Sequence, residues 1–499
     1  MSPAAYQEWR ATRPGAKRDL IAALNFATFR RRRTLTAERM KYIPIIALTL
    51  APLPALPAEP PAGFEVSYFA GTTDAAGHFM GGTEIRELVA SGGKLFAANG
   101  YWEDIPGNDP SPGPQILVLD AAGKPWRVDH AFDERMPRGR PRHIAVSTLS
   151  AATFRTDQNG TVLTRPATRL LATTWDVTGR RTVFMRDGDT GQWSEAFIAQ
   201  SAPRPRFLPQ IRSFGFHRDR RTGADIAFAG DTDGIFTGVY DPTAPGQIRW
   251  NTTPELSTNG LGLDAYAGLS RGLRISSFAE AGGRLFAAIG QQVWVREDRA
   301  IPSWRHIYTD PNPRFSETGL RGLTAVSEPG QGEFLLAAIE GIKSRIVRID
   351  PETGVETTDL DLDRLLDTSW GTRVTYVIAA YNGMVKGAHS PAGDDLLIGL
   401  EAYIPAASPR PPGHTVLDLN HGVEGGAWFL IRHPGGRYEL HQVTANVPGM
   451  GQNLVSARTI AASPFPAENG AFYVGGYDCN EVPAHNTAWI VRFVPDRGR

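Results

Sequence analysis

The chain has a single cysteine, Cys479, in 499 residues. No intrachain disulfide can form, so the fold must be held by its core. In an exported protein that points to a bacterial-type envelope protein rather than a disulfide scaffold. A lone thiol in an apolar-flanked loop is most often inert. An excess of either charge is also missing, since 52 Lys and Arg balance 52 Asp and Glu. A general nucleic-acid binder needs a basic surplus to displace counterions, so nucleic acid is not an expected partner. Nor is there an apolar run long enough to cross a bilayer comfortably. The stretch from Tyr42 to Leu56 is short and broken by Pro44, Pro52 and Pro54. Gly and Pro, at 53 and 38 residues, are plentiful beside an ordinary 21% of charged residues, which marks a turn-rich globular chain and not a disordered one.

That apolar stretch has the context of an export signal. Arg30 to Arg33 and Lys41 precede it, and the small residues Ala55 and Ala58 end it. This is the order of a basic n-region, an apolar h-region and a cleavage site. Residues 1–58 are therefore expected to be a targeting region, with Met40 as an alternative start. Residues 59–499 are expected to be the mature, periplasmic or secreted domain, with no membrane span after cleavage and a monomeric state.

The mature part repeats. A short apolar strand recurs as Leu95-Phe96-Ala97-Ala98, Leu170-Leu171-Ala172-Thr173, Ile226-Ala227-Phe228-Ala229, Leu285-Phe286-Ala287-Ala288, Leu335-Leu336-Ala337-Ala338, Leu396-Leu397-Ile398-Gly399 and Phe472-Tyr473-Val474-Gly475, at spacings of 50 to 76 residues. One four-stranded propeller blade with its loops has that size. The expected fold is all-β: a seven-bladed β-propeller of four-stranded antiparallel blades. An N-terminal strand, Phe64 to Phe69, would close the ring by pairing with the last blade, which ends in Trp489 to Phe493, because open sheet edges invite aggregation.

Turns between the third and fourth strands of each repeat carry Asp and Gly: Asp120 to Gly123, Asp187 to Gly191, Asp241 to Gly246 and Asp350 to Gly354, with His433 to Gly436 as a variant. Asp caps such a turn and Gly supplies its positive φ. An aromatic often follows, as Trp126, Trp193, Trp250, Trp304 and Tyr438 do. The hairpins resemble the Asp-box hairpins of sialidase-like and related glycan-acting propellers. In those families they lie on the outer rim and are structural, so the resemblance speaks for the fold and not for an activity. The chain departs from sialidases in blade count and lacks their early Phe-Arg-Ile-Pro-type motif.

An arginine opens each repeat: Arg86, Arg142, Arg212, Arg274, Arg321, Arg373 and Arg458. The innermost strand of a blade lines the centre of the ring, so these seven are expected near one mouth. Asn99, Trp102, Trp175, Asp176, Asp231, Asp233, Gln291, Glu340, Glu401, Tyr403, Asp478, Asn480 and His485 would join them there. Guanidinium forks grip carboxylate, sulfate or phosphate. The competing expectation is that each arginine pairs with a carboxylate of a neighbouring blade, since a buried unpaired arginine is costly. Acid–base candidates at that mouth are His143, Glu340, Glu401, Asp478 and His485. Two long loops, Tyr101 to Pro114 and Pro405 to Gly426, could reach the same side.

Other motifs read weakly. Gly268-Leu269-Ser270-Arg271-Gly272 matches a nucleophile elbow, but a strand follows it where the motif needs a helix. Asp187 to Gly191 and Asp359 to Asp363 have the carboxylates of calcium loops without the glutamate at the twelfth position, where Ile198 and Trp370 stand. No cofactor is required by the sequence, and calcium is the ion that would suit the acidic runs. The histidines show no short metal spacing; only ligands gathered from separate blades, such as His143, His217, His306 and His485, could assemble a metal site. Three functions remain open: binding of an anionic small molecule or glycan, lyase or hydrolase action on an anionic carbohydrate, and a protein–protein interaction scaffold.

Overall fold

The structure is a computed structural model that describes residues 63–101, 113–201, 209–259, 261, 274–312, 319–405, 417–418, 422–447, 454–476 and 486–495. All of them belong to the compact unit Pro61–Arg499. The targeting region, Cys479, Asp478, His485 and the Gly268 to Gly272 motif lie outside the described residues, as does most of both long loops.

Small antiparallel sheets are set in a ring, as a β-propeller. Each is a meander in which consecutive strands pair. Glu84–Ser91, Lys94–Gly100, Gln115–Leu119 and Arg127–Ala131 form one run, and His143–Thr156, Val162–Asp176, Arg180–Asp187 and Trp193–Gln200 the next. A single bridge, Gly100 to Ala145, joins these two runs into one eight-stranded sheet. Further runs start at Ile211–Arg218, Ile275–Ala281 and Leu320–Glu328. In the following sheet the first strand is split into Tyr376–Ala379 and Val385–Ser390, both paired with Gly393–Ile404. The last sheet holds Ala457–Ala462, Phe472–Gly476 and Trp489–Phe493, with Glu65–Phe69 antiparallel to Trp489–Phe493.

The repeated apolar stretches are the second strands, and both of their faces are covered. Leu95, Phe96, Ala97 and Ala98 are fully buried, as are Leu285, Phe286, Ala287 and Ala288. A strand covered on both faces needs a continuous apolar run, not an alternating one. The core lies between sheets: Leu171, Val183, Met185 and Ile198 of one pack on Ile211, Ala227, Ala229 and Phe236 of the next. Burying each large aliphatic or aromatic side chain contributes about 1.5–3 kcal/mol.

The Asp turns form as the sequence implies. Asp187 accepts from the backbone N–H of Asp189 and Thr190, and Asp350 from those of Glu352 and Thr353. The second acidic run is the start of a helix, not a metal loop. Asp361 caps Leu362–Trp370 by accepting from the Arg364 N–H, and Asp363 accepts from the N–H groups of Lys343 and Ser344. The helix buries Leu362, Leu366 and Trp370.

Several of the aromatics after the turns brace neighbouring sheets. Arg186 reaches from a third strand to Asp129 on the outer strand of the preceding run, and Trp193 donates to the same carboxylate at 2.9 Å. Arg296, Glu255 and Trp304 repeat the arrangement, with both guanidinium bonds at 2.8 and 3.0 Å. Arg432, Asp359 and Tyr438 repeat it again, and Arg432 also donates to Glu328. Burial would raise the Asp359 carboxyl, but Arg432 and Tyr438 outweigh it and hold it below the usual range. Removing one partner of such a buried pair leaves the other charge stranded. Arg432→Ala should therefore cost about 3–5 kcal/mol of unfolding free energy in urea titration. Arg127→Ala, which breaks an exposed pair with Asp120, should cost at most about 1 kcal/mol.

Candidate functional site

Five of the seven arginines meet at one level of the ring. The cause is a repeated slip in strand register near the start of the first strand. The pairing shifts between Ile85 and Glu87, between Ile211 and Ser213, and between Ala457 and Thr459. Arg86, Arg212 and Arg458 are the extra residues. A β-bulge of this kind bends its strand and re-aims the side chain it carries. Arg321 stands just before a similar slip, and Arg274 just before the strand Ile275–Ala281, whose slip falls at Ser276.

The split strand brings the group on which they converge. Between its halves the chain turns at Ala380, whose φ is +52°, and presents Tyr381 and Asn382. The left-handed backbone costs an L-residue about 1–2 kcal/mol. Gly322 leaves the space for it, because a Cβ there would sit 2.4 Å from the Ala380 Cβ.

Arg458 stacks over the Tyr381 ring with its guanidinium carbon 3.7 Å from the centroid, and Arg321 lies at 4.6 Å. Arg212 donates to the Tyr381 hydroxyl oxygen at 3.0 Å. Asn382 donates to the Arg86 carbonyl, which lies beyond the sheet next to its own. Two carboxylates answer the arginines. Glu84 accepts from Arg86 at 3.0 Å and also from Arg458. Glu340 accepts from Arg321 at 2.5 Å and from the Tyr376 hydroxyl. Arg212 and Arg274 have no carboxylate partner among the described residues, and Arg212 is 8% exposed.

This crowding shifts Arg212, Arg274, Tyr381 and Glu87. Burial pushes Arg212 down to about 10, helped by Arg86 and Arg321. Burial, Arg212 and Arg321 push Arg274 down to about 9. Both remain cationic at neutral pH. Burial opposes ionisation of Tyr381, but Arg212, Arg458, Arg86 and Arg321 outweigh it and bring the phenol well below its usual value. Burial pushes Glu87 up to about 8 against the pull of Arg86, so at neutral pH it is mostly a neutral acid.

Comparison with known proteins adds little to this geometry. No protein-family model matches the chain, and no curated protein does. Solved structures match at fold level. One is the GH74 enzyme of Niastella koreensis, with a TM-score of 0.45 and 11% identity over 84% of this chain. The chain spans 55% of that enzyme's length. Another is the Dos1 propeller, with a TM-score of 0.44 and 10% identity over 87% of this chain and 95% of that one. A third is BBS1N solved in complex with ARL6DN, with a TM-score of 0.42 and 8% identity over 88% of this chain and 98% of that one. Likeness this distant says nothing of activity.

Two of the arginines expected at the centre stand elsewhere. Arg142 is 23% exposed and pairs with Asp176 at 2.8 Å and with Glu134. In its sheet the slips fall later, around Val146, so Ser147 and Thr148 occupy the inner level and bond to Gln210 and Glu87. Arg373 is exposed, in the segment between the helix and Tyr376–Ala379; the helix displaces the repeat, and Tyr381 takes the inner position.

Of the acid–base candidates, Glu340 lies in the cluster. Glu401 accepts from Tyr403 and from Ser456 at 3.1 Å. His143 is buried apart from the arginine cluster, 2.7 Å from the Thr174 hydroxyl and against Phe132 and Phe184, and burial lowers its pKa. Asp231 and Asp233 are both taken by Arg181. No group of three or more metal-ligating side chains is placed to hold an ion among the described residues.

Glu84, Glu87, Tyr381 and Asn382 were not singled out by sequence. Glu84 stands two residues before Arg86, and Tyr381-Asn382-Gly383 breaks a strand pattern with turn-forming residues.

The raised Glu87 carboxyl has a consequence for stability. Its neutral form is favoured in the folded state, so its contribution is complete below about pH 4.5 and is lost as the pH rises through about 8. Thermal midpoints from pH 5 to 9 should therefore fall more for the native protein than for Glu87→Gln, which cannot ionise.

Proposed function

We propose that this chain is an exported, seven-bladed β-propeller that binds an anionic small molecule or glycan at an arginine-lined central channel. The eight-stranded sheet reads as two successive blades, since one bridge joins two complete four-strand runs. With the five later groups that makes seven, and the pairing of Glu65–Phe69 with Trp489–Phe493 supports closure by the N-terminal strand. The basic and apolar order of residues 30–58 supports export to a periplasmic or extracellular space.

The observation that carries the binding reading is the pair Arg212 and Arg274. Both are cationic, both face a cluster of like charge, and neither has a carboxylate partner among the described residues. Holding a buried Arg212 and a half-buried Arg274 together without a carboxylate to answer them is unfavourable. A carboxylate, sulfate or phosphate would supply the acceptor oxygens that the two guanidinium forks lack. Arg86, Arg321 and Arg458 play a different part, since Glu84 and Glu340 tie them into the scaffold.

Melting of residues 59–499 with uronates, sulfated sugars and phosphorylated sugars separates these roles. Anions should raise the melting temperature of the native protein by several degrees. Arg212→Ala with Arg274→Ala should abolish that gain while leaving the ligand-free protein as stable or more stable, because like charges are removed. Arg321→Ala should lower ligand-free stability, because Glu340 is stranded. If no anion stabilises the protein, or if the double variant unfolds as Arg321→Ala does, the arginines are structural and the mouth is a surface for protein partners.

A further inference from the structure

The anion-binding reading leaves Tyr381 unexplained. A phenylalanine would offer the guanidiniums much the same ring face, so it is the hydroxyl that calls for an account, and the chain goes to some length to put it there. A first strand is cut in two, a non-glycine residue takes a left-handed conformation, and Gly322 on the neighbouring strand gives up its side chain to make room. Asn382 then anchors the turn to the Arg86 carbonyl. The turn fixes where the residue stands, and Arg458, Arg321 and Arg212 contact its ring and hydroxyl there.

What surrounds the hydroxyl oxygen sets its chemistry. Guanidinium has donors and no acceptor, so the bond from Arg212 fixes the Tyr381 oxygen as an acceptor. The charged and titratable groups of the cluster come from every neighbouring element: Glu84, Arg86 and Glu87 on one strand, Arg212 on a second, Arg274 ahead of a third, Arg321 on a fourth, Glu340 just after the strand Gly332–Ile339 that pairs with it, and Arg458 on a further one. Five cations and two paired carboxylates leave a surplus of positive charge around one oxygen that can carry a negative one.

Resting on the anion-binding reading, we propose that Tyr381 is the proton-exchanging residue of this site: without a ligand its oxygen serves Arg212 as a phenolate counter-ion, and an anion engaging Arg212 and Arg274 returns one proton to it from solvent. The balance is simple. Phenolate, ligand anion and one proton become phenol and bound anion; the site keeps its total charge with a monoanion and gains one negative charge with a dianion such as sulfate. The anion takes over Arg212 and repels the phenolate, and both effects favour protonation. Binding is thus coupled to uptake of one proton and weakens about tenfold per pH unit wherever the ligand-free residue is ionised. A ligand with an acidic proton directed at this oxygen would meet a base there.

Sulfate is the probe of choice, because it carries no proton of its own near neutral pH. The full chain is titrated spectroscopically at the phenolate absorption band with and without sulfate, and proton uptake is measured in weakly buffered solution. Stabilisation by sulfate is recorded separately. The expected result is one phenolate equivalent titrating well below the range of an ordinary tyrosine that sulfate abolishes, with about one proton taken up per sulfate, and with both signals lost in Tyr381→Phe. Should Tyr381→Phe fail to fold, the native titration decides alone, through the sulfate-sensitive step and its matching proton uptake. Sulfate binding without a phenolate step or proton uptake overturns the proposal and leaves the anion site standing. Absence of any stabilisation by sulfate, uronates or phosphorylated sugars removes the site, and this proposal with it.

Discussion

Mutual repulsion among five guanidiniums is the condition that the centre of this protein has to satisfy. Like charges confined to a poorly hydrated space would separate if their strands could move. They are kept together by the register of the sheets that carry them. Each arginine is directed inward from a bulge or from the residue ahead of a strand, and each such strand is pinned to a second strand that is buried on both faces. Glu84 and Glu340 relieve part of the repulsion, and Tyr381 offers its ring face and its oxygen to the remainder.

The outer part of the molecule supplies the stiffness. The three braces of Arg186, Arg296 and Arg432 each join a third strand to a carboxylate of the preceding run, and each is completed by a Trp or Tyr on the adjoining fourth strand. They recur in every other run. Carboxylates with both an arginine and an aromatic donor have little hydrogen-bonding capacity left over, so these sites are scaffold. The arginines near the centre are less uniformly satisfied. The same residue type therefore plays two parts here, and the number and burial of its carboxylate partners tells them apart.

The propeller arrangement was legible because it rests on periodicity. Apolar second strands such as Leu285 to Ala288 recur whatever the loops do, and the Asp turns fold locally. Arg86, Arg212, Arg274, Arg321 and Arg458 could be gathered from sequence for the same reason. Arg142 and Arg373 could not be excluded, because a slip of a few residues in one strand leaves the pattern of neighbouring apolar positions intact. Tyr381 was hidden for a related reason: its position depends on the split strand and on Gly322, which comes from a different sheet. The pairing of Asp359 with Arg432 was equally invisible, since nothing in an acidic run names a partner 73 residues away.

The bond from Asn382 to the Arg86 carbonyl joins strands that are not neighbours in the ring. The sheet of Ala457–Ala462 touches both of them and is bypassed by this bond. The turn that carries Tyr381 is thereby tied directly to the bulge that carries Arg86, so a change in the backbone of either is felt at the other without passing through the sheet between.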